Sequence, residues 1–321
     1  MRQSPEQPLV KQTHYRVLCL GESTTADMEY MGRESYPAQL ESILNERADG
    51  VSFTVVNGGM PATTTDAILK ELPKNLDLHH PDIVVAMMGV NDGEAIDPLF
   101  QVSGGLRVWK LAKVIYYTWW NPHAFIEGGG LEPPIEVSMS SKKAWIRVIE
   151  GRFAEAEAIL LPMLNQDEWP ISRLQAHGIM AVLSWQRGDE QEAERFHQRF
   201  LELERLIPNS RTVRNYRELR RILGERKIPL VAVQYPSMPV DTLKQMLDPE
   251  PGTVFVDNEQ TFLQAIKTQP VREIYRDLVA GLFGHMTPYA NGLLAANVAR
   301  GVLELVADHR VELSTPMRRN E

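Results

Sequence analysis

The chain has 321 residues, 43% of them hydrophobic and 24% charged, the make-up of a globular protein with one large or two modest domains. Its 34 basic and 42 acidic residues give a net charge of −8, which argues against a broad phosphate-tracking surface and so against nucleic acid as a partner. The lone cysteine, Cys19, excludes an internal disulfide and a cysteine-based zinc site. No run reaches the roughly 20 apolar residues of a membrane span. The polar start from Met1 to Gln12 does not resemble a signal peptide, so a cytoplasmic location is expected.

Three β/α units open the sequence. Val17-Leu18-Cys19-Leu20, ended by Gly21, suits a buried parallel strand. Tyr36, Leu40, Ile43 and Leu44 then recur at helical spacing. A second strand runs from Val51 to Val56 and halts at Asn57-Gly58-Gly59. Thr65 or Asp66 can cap a helix carrying Ile68, Leu69 and Leu72. Ile83 to Met88 is the third strand, ended by Gly89. Strands alternating with helices predict a parallel sheet covered on both faces.

From about Pro98 to Asn209 no convincing strand is present. Ala144 to Leu164 reads as two helices around Gly151, and Ala181 to Leu203 as two around Gly188. Aligning the two glycines superposes Glu155-Ala156-Glu157 on Glu192-Ala193-Glu194, with the small Ala where two helices must approach. The pattern resembles tetratricopeptide repeats, which implies a face for a protein partner. The α/β pattern then resumes with a helix over Val213 to Leu223 and a strand over Ile228 to Val233. A short helix over Asp241 to Leu247 and a strand over Val254 to Val256 follow. A last helix carries Leu294, Val298, Val302 and Leu305 on one face. An α/β domain (13–97 and 210–313) is thus expected to be interrupted by a helical insert (98–209).

In open parallel sheets, function gathers at the carboxyl ends of the strands. Those ends carry Gly21-Glu22-Ser23-Thr24-Thr25, Asn57-Gly58-Gly59-Met60-Pro61-Ala62 and Gly89-Val90-Asn91-Asp92, and Gly284-His285-Met286-Thr287-Pro288 stands near the C-terminus. A hydroxyl, a carboxamide and an imidazole from separate loops supply the nucleophile, oxyanion donor and general base of acyl transfer. Asp92 reads better as a turn-stabilising acid than as a catalyst. His79 and His80 are adjacent, which suits neither helical nor tetrahedral metal spacing. The chain has no HExxH pattern and no lysine-bearing phosphate loop, so no metal or cofactor is expected.

These blocks resemble the SGNH (GDSL) hydrolase superfamily, over roughly residues 15–97 and 211–307. The resemblance implies a three-layer α/β/α sandwich with a five-stranded parallel sheet, flavodoxin-like, here with the all-helical insert. It implies Ser23 as nucleophile, His285 as base, and an oxyanion hole formed by Asn91 with the N–H groups of Ser23 and Ala62. The implied activity is hydrolysis of carbohydrate O-acetyl or other short-chain or lipid acyl esters, or O-acyl transfer to a sugar. Three positions depart from the family pattern. Glu22 stands where Asp usually precedes the serine, and Ala62 where a glycine usually follows the second-block Asn. Leu282 stands where the triad acid usually lies, three residues before the histidine. An unaided Ser–His dyad, a substitute acid with Asp277 nearest in sequence, and a degenerate binding site all remain open.

Trp109, Tyr116, Tyr117, Trp119, Trp120 and Phe125 cluster with Arg107, Lys110 and Lys113. They read either as packing between insert and α/β domain or as a substrate lid, with Trp119 and Trp120 at its centre, able to meet an acyl chain or a membrane surface.

Overall fold

The computed structural model describes residues 13–27, 33–92, 135–165, 170–206, 210–247, 251–279 and 282–314. Strand β1 (Thr13–Gly21) leads through the single turn α1 (Ser23–Ala26) to helix α2 (Tyr36–Arg47). Then come β2 (Val51–Gly59), α3 (Thr65–His79) and β3 (Ile83–Met87). Four helices follow: α4 (Ile135–Ile149), α5 (Phe153–Leu160), α6 (Pro170–Arg187) and α7 (Glu190–Leu206). The α/β pattern closes with α8 (Ser210–Glu225), β4 (Leu230–Val233), α9 (Val240–Leu247), β5 (Thr253–Val256), α10 (Glu259–Thr268) and α11 (Pro288–Ser314).

The strands form one five-stranded sheet in the order β2-β1-β3-β4-β5 with every pair parallel, the flavodoxin-like order expected. Alternation along each strand sends successive side chains to opposite faces. Leu18, Leu20, Val84, Ala86, Leu230 and Ala232 pack against Ile68 and Leu72 of α3, Tyr216 and Leu219 of α8 and Leu243 of α9. Val17, Cys19, Val85, Met87, Val231 and Val233 face α2 and α11 through Tyr36, Leu40, Leu294, Val298 and Val302.

The two expected helix pairs form: α4 and α5 meet at Gly151, α6 and α7 at Gly188, both glycines at positive φ (74° and 79°). That backbone is cheap for glycine and ends each first helix where its partner must turn back. Ala156 and Ala193, the aligned small residues, are fully buried. The pairs share the apolar cluster of the α2/α11 face. Gln186 of α6 fastens them to α10: its Nε2 donates to the carbonyls of Ile266 (2.6 Å) and Gln269 (2.9 Å), and its Oε1 accepts from Val271 N–H (3.2 Å).

One boundary differs from expectation for a physical reason. Helix α3 has Thr64 rather than Thr65 or Asp66 at its N-cap, and no side chain of the cap residue bonds the helix. The N–H of Thr65 goes instead to Asp92 Oδ1 at 2.9 Å, from the segment after β3. Pro288 opens α11, where proline at the first helical position needs no N–H partner. Among the described residues no helix is long and apolar enough to cross a membrane. Trp119 and Trp120, and the rest of the aromatic stretch over 107–125, lie outside the described residues.

Candidate active site

The parallel register brings Gly21, Gly59 and Met87 level at the carboxyl edge of the sheet. Ser23 follows at the first position of α1, partly exposed on a turn whose other residues are buried. His285 approaches from the C-terminal half. Its Nε2 lies 2.8 Å from Ser23 Oγ, hydrogen-bond distance across 262 residues of chain. Its Nδ1 lies 2.6 Å from Asp277 Oδ2, and its backbone N–H donates to Asp277 Oδ1 at 2.7 Å.

Asp277, the acid nearest in sequence, is the carboxylate that meets the His285 ring. The reason is a hairpin-like excursion. Tyr275 and Met286 form an antiparallel bridge, Arg276 N–H donates to His285 O, and Val279 N–H donates to Phe283 O. Residue 277 is therefore folded opposite residue 285, and Leu282 sits beyond it, fully buried in the apolar cluster. Gly284 makes this approach possible, since a Cβ there would lie 1.7 Å from the Asp277 carbonyl oxygen. Partial burial raises the Asp277 carboxyl, but the His285 ring and N–H and the Arg276 charge outweigh it and hold the group below its usual range.

Arg276 also braces the loop from behind. Its Nε donates to Met286 O (3.0 Å) and its guanidinium pairs with the buried Asp27 at 3.0 Å. Asp27 ends α1 in a left-handed conformation (φ 42°) and accepts a second bond from Asn291 Nδ2 at 2.6 Å. The turn bearing Ser23 and the loop bearing His285 are thus joined by a buried ion pair as well as by their own hydrogen bond.

The proposed oxyanion donors sit in two loops. Asn91 Nδ2 donates one N–H to Thr63 O at 3.0 Å, and a carboxamide nitrogen carries a second. Ala62 adopts φ 49°, the left-handed backbone that glycine takes freely and that an L-residue adopts at a cost of about 1–2 kcal/mol. Asp92 is a structural acid: its Oδ2 accepts from Thr65 Oγ1 and Thr212 Oγ1, both at 2.6 Å, so it ties the loop after β3 to the starts of α3 and α8.

Two further residues were not legible as functional. Glu22, beside Ser23, is fully buried, and its carboxylate accepts from Gly89 N–H and from the Tyr235 hydroxyl, each at 2.6 Å. Burial pushes this carboxyl up to about 7, against the pull of both donors. Tyr235 stands just past β4, a strand end whose residues carried no motif. Among the described residues no group of three His, Cys, Asp or Glu side chains could hold a metal ion.

Residues 19–127 match the model of the GDSL-like Lipase/Acylhydrolase family. An arylesterase of Vibrio mimicus is 38% identical over 82 residues, 26% of this chain and 40% of that protein. The chain therefore spans about two fifths of the length of this curated relative. Among solved structures, a catalytic mutant of Axe2, an acetylxylan esterase from Geobacillus stearothermophilus, is 12% identical over 98% of this chain and 100% of its own, with a TM-score of 0.41. AlinE4, an SGNH-hydrolase family esterase, is 18% identical over 94% of this chain and 97% of its own, with a TM-score of 0.34. The matched segment ends before α4, so the helix pairs and the loop of His285 lie outside it.

Proposed function

We propose that the chain is a serine hydrolase of carboxylic esters. The observation that carries the proposal is the unbroken hydrogen-bonded line from Ser23 Oγ through the His285 ring to Asp277. Ser23 Oγ attacks the ester carbonyl carbon while His285 Nε2 takes its proton. The carbonyl electrons move onto oxygen, and the free N–H of Asn91 with the backbone N–H groups of Ser23 and Ala62 stabilise that charge. Collapse expels the alcohol, protonated by His285. A water molecule, deprotonated by the same nitrogen, then attacks the acyl carbon; the bond to Ser23 Oγ breaks, His285 returns the proton to that oxygen, and the acyl group leaves as a carboxylic acid. Asp277 accepts the Nδ1–H throughout, fixing the tautomer and stabilising the imidazolium.

The substrates proposed are short-chain acyl esters, aryl or carbohydrate. Likeness of one segment to an arylesterase favours an aryl leaving group as the first assay. If a sugar hydroxyl displaces the acyl group in place of water, the same atoms carry out O-acyl transfer. Hydrolysis of p-nitrophenyl acetate by wild type and Ser23→Ala tests the reading. Loss of at least about 10³-fold in Ser23→Ala is expected, with the oxyanion donors supplying what remains. Equal rates in both would overturn it.

A further inference from the structure

We infer that Glu22 and Tyr235 are positioning residues that set the oxyanion loop relative to the nucleophile; this rests on the ester-hydrolase reading above. Asn91 follows β3 within residues 89–92, and Nδ2 of Asn91 must stand at a fixed distance from Ser23 to meet a developing oxyanion. On its C-terminal side Asp92 is held by Thr65 and Thr212. On its N-terminal side the chain is pinned by the residue adjoining the nucleophile. Gly89 N–H donates to Glu22 Oε1 at 2.6 Å. Val90 N–H donates to the Tyr235 hydroxyl at 3.2 Å, and that hydroxyl donates onward to Glu22 Oε2 at 2.6 Å. Both backbone amides preceding Asn91 are thereby referred, directly or through one phenol, to a single carboxylate attached to the backbone of Ser23.

The chemistry of the arrangement argues for placement rather than for stability. A fully buried carboxylate is expensive to desolvate, and an apolar or amide side chain at 22 would be cheaper to bury. What the carboxylate adds is two acceptor oxygens in one rigid plane, able to hold two donors from different strand ends. Gly89 adopts φ 118°, and a Cβ there would lie 2.4 Å from Thr212 Cγ2, so the loop has little room to settle elsewhere. Tyr235 is itself held, its ring stacked on Phe283 at 5.2 Å between centroids.

Tyr235→Phe removes one hydroxyl and leaves that stacking in place, and Glu22→Gln keeps shape but turns one acceptor into a donor. The test compares wild type, both variants and the double variant on p-nitrophenyl acetate, with rates normalised to the fraction labelled by a fluorophosphonate. Affinity for an alkylboronic acid, which forms a tetrahedral adduct on the serine, is measured alongside. Removing one oxyanion donor outright typically lowers kcat 10²- to 10³-fold, so a displaced donor is expected to lower it about 10-fold. KM should change less than about 2-fold, and boronate affinity should fall in parallel with kcat. The double variant should lose little more than the worse single one, because both act through one loop. Unchanged kcat and boronate affinity in Tyr235→Phe, with Ser23-dependent hydrolysis intact in wild type, would overturn the inference while leaving the ester-hydrolase reading standing. A loss that disappears on normalising to labelled enzyme would also overturn it, since the residues would then support folding alone.

Discussion

Asp277 and Leu282 show what one residue's address in the fold decides. By sequence offset Leu282 holds the place of the triad acid. By hairpin geometry Asp277, eight residues before His285, is the acid that meets the imidazole, and in the mechanism proposed above it orients the ring. Asp277→Asn keeps the shape of the acid but favours the wrong imidazole tautomer, so kcat/KM should fall by about 10²- to 10⁴-fold. The Asp277 side chain is half exposed, so the melting temperature should fall by only a few degrees. Leu282→Asp should not rescue it. The new carboxyl would enter an apolar cluster, and the expected result is a loss of several kcal/mol of stability. Steady-state kinetics with p-nitrophenyl acetate and thermal melts of the three proteins check both statements, and a gain in kcat/KM from Leu282→Asp would contradict the assignment. Ser23, Asn91 and His285 were visible because each follows a glycine-rich break at a strand end or a terminal loop. Asp277 could be named only as a neighbour, because the pairing of 275 with 286 that selects it is a tertiary fact. Glu22 read only as a departure from the family pattern, because its partner Tyr235 lies 213 residues away.

At the scale of elements, apolar runs located the strands, the first three of them ended by a glycine-bearing break, since a strand buried on both faces reads as a hydrophobic stretch. Helix starts were less legible: α3 takes its capping oxygen from Asp92, which lies 27 residues beyond the N–H it satisfies. The turn α1 shows the same dependence. With four residues it is too short to hold itself, and the Asp27–Arg276 pair fixes its end to the hairpin. Arg276→Met would leave the Asp27 carboxylate buried, 3% exposed, with the uncharged Asn291 amide still bonded to it and the guanidinium gone. Breaking a buried pair from one side typically costs about 3–5 kcal/mol. At roughly 2–4 °C per kcal/mol for a domain of this size, the melting temperature should drop by about 10 °C. Arg276→Met combined with Asp27→Asn should recover part of the drop, because the amide is neutral and asparagine accepts left-handed backbone. Melting curves of the two variants decide the matter: equal losses in single and double variants would mean that the charge pairing itself contributes nothing.

Across the whole molecule, the helix pairs are structural members of the α/β body and share its core. Trp145 and Ile179 belong to the same apolar cluster as Val85 and Val233 of the sheet. The indole of Trp145 meets the ring of Tyr275 at 6.3 Å, and Tyr275 in turn stacks on Phe262 of α10 at 6.2 Å. Tyr275 is the residue whose backbone pairs with Met286 to open the hairpin carrying Asp277 and His285. The alternation of strands and the glycine-marked helix pairs made the two parts legible in sequence, but not this contact, since nothing in the spacing of Trp145 names Tyr275 as its neighbour. Trp145→Ala would remove the indole from one side of Tyr275 and open a cavity, at a typical cost of about 3–5 kcal/mol. The loss should be local first. In native-state hydrogen exchange the amides of Arg276, Val279 and Thr287, whose bonds close the hairpin, should exchange faster by a larger factor than those of Val84 or Ala86 in β3. The rate constant for hydrolysis should fall with hairpin protection, because Asp277 and His285 ride on that backbone. Uniform acceleration at every amide would instead mean that Trp145 supports the molecule as one cooperative unit. Unchanged hairpin exchange in a destabilised Trp145→Ala would mean that the helix pairs and the hairpin are energetically separate.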